Sequence, residues 1–167
     1  MSYRNKTYVI FDGDNDIWAY RFMKGWKTND NVDFDFHDAH DLKPLTERAG
    51  DETVKRRLRE RFANAKQVIV VIGESTKNLY RFVRWELQIA LELNIPIVAV
   101  NLNGLKQCDN DLCPAIIRDE YVVHVPFKRS AIKYALDNFP GEHAKRDSGE
   151  KGSRVYGKAV YEKLGID

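Results

Sequence analysis

The 167-residue sequence predicts one α/β domain, a doubly wound parallel sheet of about five strands with helices on both faces. Three observations lead to it. Short β-rich runs alternate with helical stretches almost from end to end. Val68-Ile69-Val70-Val71-Ile72 is continuously apolar, as a central strand covered on both faces should be. The length suits one domain with a continuous core and leaves no room for a second catalytic one.

The elements follow in order. Tyr8 to Phe11 reads as the first strand and Asp16 to Trp26 as the first helix, with Asp16 as its N-cap. Val32 to Phe36 is the expected second strand, and Asp51 to Lys66 the second helix, capped by Asp51. Gln67 to Ile72 precedes a third helix over Leu79 to Leu93. Ile95 to Val100 is the fourth strand, with a short helical turn at Leu112 to Arg118. Tyr121 to Val125 is the fifth, and Ser130 to Phe139 the last long helix, capped by Ser130 and ended by Pro140. Strand, helix, strand connections cross over right-handed, which makes a flavodoxin-like sheet the economical topology. Residues 1–140 form the expected domain. Residues 141–167 read as a polar connector, Gly141 to Ser153, and a short terminal helix that folds back on the domain or docks a partner.

Composition narrows the function classes. A formal net charge of +2 offers no general field for nucleic acid or a membrane surface, and no apolar run approaches the roughly 18 residues of a membrane span. The basic run Lys55, Arg56, Arg57, Arg59 and Arg61 is interleaved with Val54, Leu58 and Phe62 at helical spacing and reads as a solvated helix face. A polar start leading straight into a strand pattern sets a cytoplasmic expectation. Cys108 and Cys113 are the only cysteines, with no histidine close in sequence, and read as two reduced thiols; no metal is expected.

One residue breaks the pattern. Phe82, Ile89, Ala90 and Leu93 outline a buried stripe on the third helix, and Glu86 lies inside it. A buried carboxylate is costly without a partner. The helix starts just after the third strand, near the strands' carboxyl ends, where open α/β sheets bind ligands. The pattern leaves two readings: a functional carboxylate, or a rim glutamate paired with a neighbouring Arg or Lys. The loops at that edge are polar: Asp12-Gly13-Asp14-Asn15-Asp16, His37-Asp38-Ala39-His40-Asp41 and Gly73-Glu74-Ser75-Thr76. Gly13 and Gly73 permit tight turns and close backbone approach, although turn chemistry alone also selects such residues. A phosphoacceptor receiver would need an aspartate ending the third strand, where Ile72 and Gly73 stand. The His37/His40 and Asp38/Asp41 spacing is no known closed metal set, and neither a dinucleotide fingerprint nor a phosphate-binding loop is present.

The segment Val68 to Thr76, followed by Arg81-Phe82-Val83-Arg84-Trp85-Glu86-Leu87 and Ile95-Pro96-Ile97-Val98-Ala99-Val100, resembles the TIR-like family that includes the TIR proteins of the bacterial Thoeris anti-phage system. TIR domains commonly carry Trp-Cys-x-x-Glu-Leu on the third helix. Here Glu86 and Leu87 keep the pattern, while Phe82 and Val83 replace the tryptophan and cysteine. The acidic first loop departs from the phenylalanine, serine and histidine usual in the Thoeris branch.

The resemblance implies an enzyme that breaks the nicotinamide-ribose bond of NAD, with Glu86 catalytic, NAD as substrate and no cofactor. Only Glu86 is carried over from the family motif; Asp12, Gly13, Asp38 and Gly73 are substrate-binding candidates from their place in the strand-end loops, and Phe11, Phe82 and Trp85 as ring walls for nicotinamide or adenine. The resemblance also implies a diffusible ADP-ribose-derived product read by a separate effector protein, and assembly as a homo-oligomer. A non-catalytic interaction module and a nucleotide sensor are the alternatives.

Overall fold

The computed structural model describes residues 6–28, 37–38, 50–79 and 82–167. Five parallel strands, β1 (Lys6–Ile10), β2 (His37–Asp38), β3 (Gln67–Ile72), β4 (Ile97–Asn101) and β5 (Val123–Pro126), lie side by side in the order β2-β1-β3-β4-β5. The register sets Tyr8 beside Val68, Val70 beside Ala99 and Ala99 beside His124. This is the flavodoxin-like order, and the chain's direction of travel reverses between β1 and β3. The expected second strand, Val32 to Phe36, lies outside the described residues.

Alternation along the strands divides the core in two. Val9, Ile69, Val71, Val98, Val100, Val123 and Val125 face α1 (Ile17–Thr28) and α5 (Arg129–Lys145). Tyr8, Ile10, Val68, Val70, Ile72, Ile97 and Ala99 face α2 (Asp51–Phe62), α3 (Phe82–Glu92) and α4 (Ala115–Arg118). All six residues of β3 are buried, as the apolar run requires.

Several boundaries differ from the sequence expectation, each for a local reason. β4 begins at Ile97 because the Ile95 N–H donates to Ala90 O (3.0 Å), closing α3, and Pro96 has no N–H to give the ladder. Asn94 takes the left-handed conformation (φ 56°) that ends a helix. α2 stops at Phe62 rather than Lys66, with Gly50 rather than Asp51 in its cap position. Lys128 rather than Ser130 caps α5. Asp16 does immediately precede α1.

The largest correction concerns Pro140. It does not end α5, which runs on to Lys145. An interior proline usually costs about 3 kcal/mol. Burial on both sides of it holds the helix together: Phe139 is fully buried and stacks with Tyr121 (5.7 Å), and His143 is buried one turn later. A domain boundary at residue 140 would thus cut a helix. The supposed connector is also held in place. Arg154 bridges to Val123, its N–H donating to Val122 O (2.8 Å) while its carbonyl accepts the His124 N–H (3.0 Å). α6 (Lys158–Lys163) then folds back, burying Tyr161 in the α1/α5 core.

Candidate functional site

The polar loops at the strands' carboxyl edge are chiefly occupied with each other. Asp12, although buried, spends its carboxylate on its own turn: Oδ1 accepts the Asp14 and Asn15 N–H groups (3.0 and 3.2 Å) and Oδ2 accepts Asn15 Nδ2 (2.8 Å). Gly73 is required for close approach, and what approaches is Asp16. A Cβ on Gly73 would lie 2.3 Å from Asp16 Oδ2. Thr76 completes the contact, its hydroxyl accepting the Gly73 N–H (2.9 Å) and reaching Asp16 Oδ2 at 3.5 Å. Burial, reinforced by the Asp12 charge, pushes the Asp16 carboxyl above its ordinary pKa. Gly13 is exposed, with nothing near its Cβ position. A cleft of about 360 Å³ opens beside these groups, lined by Asn15, Asp16, Trp18, Gly73 and Leu102 among others; Glu86 does not line it.

Glu86 sits elsewhere, between α3, β1 and α2. The buried residues of α3 are Val83, Glu86, Leu87, Ile89 and Ala90, with Val83, Glu86 or Leu87, and Ala90 at three-and-four spacing. Leu93, expected in it, is 46% exposed, and Phe82 is half-buried. Only 8% of Glu86 meets solvent. The Tyr8 hydroxyl donates a hydrogen bond to its carboxylate, and the Arg61 guanidinium attracts it from α2. Burial outweighs both and pushes the Glu86 carboxyl up to about 7. Tyr8 is raised as well, by burial first and then by the Glu86 charge.

Two aromatic residues share the helix with this carboxylate. Phe82 and Trp85 meet edge to face on α3, with centroids 6.3 Å apart. Lys55 Nζ lies 4.9 Å from the Trp85 ring centre. The basic run of α2 therefore divides: Arg56 and Arg57 are exposed as expected, while Lys55 and Arg61 are directed to α3.

The predicted site residues thus fall into separate groups. Phe82, Trp85 and Glu86 share α3 on one face of the sheet. Phe11 stacks on Tyr20 (4.8 Å, 13° between planes) against the core of the opposite face. Asp12, Gly13 and Gly73 belong to the strand-end loops. Asp38 lies in β2, opposite Thr7 of β1. Candidate residues His40, Asp41 and Arg81 lie outside the described residues.

Sequence reasoning missed Tyr8 and Arg61 as partners of Glu86. It also missed a convergence of Cys108, Cys113 and His124, whose donor atoms all lie within 4.8 Å of one another. Tyr8 was legible in principle, because a tyrosine hydroxyl on a strand next to the apolar Val9 and Ile10 needs a partner once buried. The thiol and imidazole meeting depends on the β4–β5 pairing and had no local signal.

A parallel sheet in this order makes the chain a flavodoxin-like α/β domain, with one glutamate buried on its third helix. The family described as Thoeris protein ThsB, TIR-like domain, matches residues 8–107, and the chain belongs to it. The match runs from β1 through β4 and contains Glu86, Phe82 and Trp85. The protein is therefore a defence-related TIR-like protein. Among the described residues, no helix is long and apolar enough to cross a membrane.

Proposed function

We propose that the protein cleaves the nicotinamide-ribose bond of NAD, with Glu86 as the carboxylate that stabilises the ribosyl transition state. The observation that carries this reading is Glu86 itself: a buried carboxylate, on the third helix of a Thoeris TIR-like domain, held by Tyr8 and Arg61. Nicotinamide leaves with the C1′–N electron pair and departs neutral, so no general acid is needed. The ribose carbon left behind becomes oxocarbenium-like. A carboxylate fixed in a dry site opposes that charge and accepts hydrogen bonds from the ribose hydroxyls. Phe82 and Trp85 offer ring surface for the nicotinamide or adenine. With water as nucleophile, the products are nicotinamide, ADP-ribose and one proton; an internal or external nucleophile gives a cyclic or transferred product. A diffusible product would reach a separate effector protein.

The test is mass spectrometry of NAD incubated with concentrated protein, with and without lysate from phage-infected cells, beside Glu86→Gln. Nicotinamide released by the wild type and not by the variant supports the enzyme. Release by neither, under both conditions, would sink it.

A second reading, the interaction module, has its own observation. Trp18 and Phe22 are 44% and 57% exposed on α1 and continue an aromatic ridge with Phe127 and Trp26. Such a patch suits assembly with other copies or a partner.

A further inference from the structure

We propose that Cys108, Cys113 and His124 form a metal site for zinc or a similar thiolate- and imidazole-preferring ion, tying the loop after β4 to strand β5. The three residues come from distinct places: Cys108 from the loop, Cys113 from just before α4, and His124 from inside β5. Their donor atoms lie within 4.8 Å of one another. Tetrahedral zinc, at about 2.3 Å from sulfur and about 2.0–2.1 Å from nitrogen, sets its donors roughly 3.5–3.8 Å apart. A contraction of about 1 Å closes the set around an ion.

A second observation points the same way. His124 has no solvent exposure, and neither ring nitrogen has a hydrogen-bond partner among the described residues. Buried imidazoles almost always satisfy at least one nitrogen. A metal bound through one nitrogen would remove half of that deficit. Cys113 is likewise fully buried; its thiol makes a long contact to Pro114 O (3.6 Å) and a sulfur–sulfur hydrogen bond with Cys108.

The surroundings hold the donors in place. Asn101 donates its side-chain amide to the carbonyls of Leu105 and Gln107, both at 2.9 Å, and so fixes the loop immediately before Cys108. The Cys113 N–H donates to Asp109 O (2.9 Å), and Arg118 Nη2 donates to the Cys113 carbonyl (2.9 Å). Two sulfurs and one nitrogen select a borderline-soft ion over magnesium or calcium. Three protein ligands leave a fourth position, and Cys108 is the one member of the set that solvent reaches. The site is independent of Glu86, and all three ligands lie beyond residue 107, where the family match ends.

The experiment titrates cobalt into the reduced, metal-stripped full chain. Expected are a thiolate-to-cobalt charge-transfer band and tetrahedral ligand-field bands that saturate at one ion per chain, and their loss when zinc is added. Cys108→Ser, chosen because the half-buried residue tolerates change, should weaken cobalt binding by more than the roughly 10- to 100-fold that loss of an outer partner costs. The wild-type titration stands even if His124→Ala fails to fold. The absence of a thiolate band in reduced wild type, or a band unchanged in Cys108→Ser, would overturn the proposal.

Discussion

Glu86 and His124 are both polar groups buried beneath the same face of the sheet, and they are treated in opposite ways. Glu86 receives a hydrogen bond from Tyr8 and the charge of Arg61, so its burial is supported by the chain itself. His124 has two sulfurs for neighbours and no hydrogen bond to either nitrogen among the described residues. A buried polar group with partners is poised by the fold, whereas one without them calls for something the polypeptide does not supply. The first is the natural seat for a charge that must act on a substrate, the second for an ion.

The largest effect expected is on catalysis. Glu86→Gln keeps the shape and the contact with Tyr8 but removes the charge, and nicotinamide release should fall by on the order of 100- to 1000-fold. Loss of less than tenfold would reduce Glu86 to a structural residue.

The same group should leave a signature in stability. Its pKa is raised by burial, so the folded state keeps the proton up to about pH 7, while the unfolded chain releases it near the ordinary value of 4.5. The stability it affects is therefore greatest below pH 4.5, falls as the pH rises to about 7, and is level above. The loss is on the order of 3 kcal/mol. In urea titrations from pH 4.5 to 8 this component should be missing from Glu86→Gln relative to wild type; Asp16 and Glu142 act with the same sign in both proteins, and the buried His124 and His143, lowered to about 4, with the opposite sign. Nicotinamide release should follow the ionised form and increase through pH 7.

Much of the fold was legible in the sequence, and the site less so. The apolar run of β3 could only be a central strand, and the repeated strand-helix alternation left few topologies. α5 was cut short because proline is read locally, while the burial of Phe139 and His143 that carries the helix past it is tertiary. Glu86 announced itself by interrupting a stripe. The stripe drawn through Phe82 and Leu93 was rotated from the true one, yet Glu86 falls in both. Asp12 and Gly73 were picked out by position alone, and position gave no sign that Asp12 bonds to Asn15 or that Gly73 lies against Asp16.

Smaller effects sharpen the contrast. Gly73→Ala drives a methyl into the Asp16 carboxylate and should cost about 1–3 kcal/mol in urea unfolding. Asp16→Ser in the same chain should recover part of it, and no recovery would mean that another contact limits the turn. Tyr8→Phe removes the donor that lowers the Glu86 pKa, so the pH midpoint of activity should move upward while stability falls by about 1 kcal/mol. An unchanged midpoint would show that Tyr8 does not set the charge of Glu86. The smallest effect on stability, within about 0.5 kcal/mol, belongs to Phe22→Ser on the exposed ridge. Sedimentation would show whether that change also disperses an assembly.

The strip of chain around Arg154 has a practical bearing on how this domain can be handled. By engaging the outer edge of β5 it blunts a row of backbone donors and acceptors that would otherwise be open to a strand from another molecule. A chain shortened to the matched segment would lack β5 and this seal, leaving β4 as a raw, apolar margin. Such a fragment should precipitate on expression, and a soluble minimal unit should need to extend at least through Tyr161.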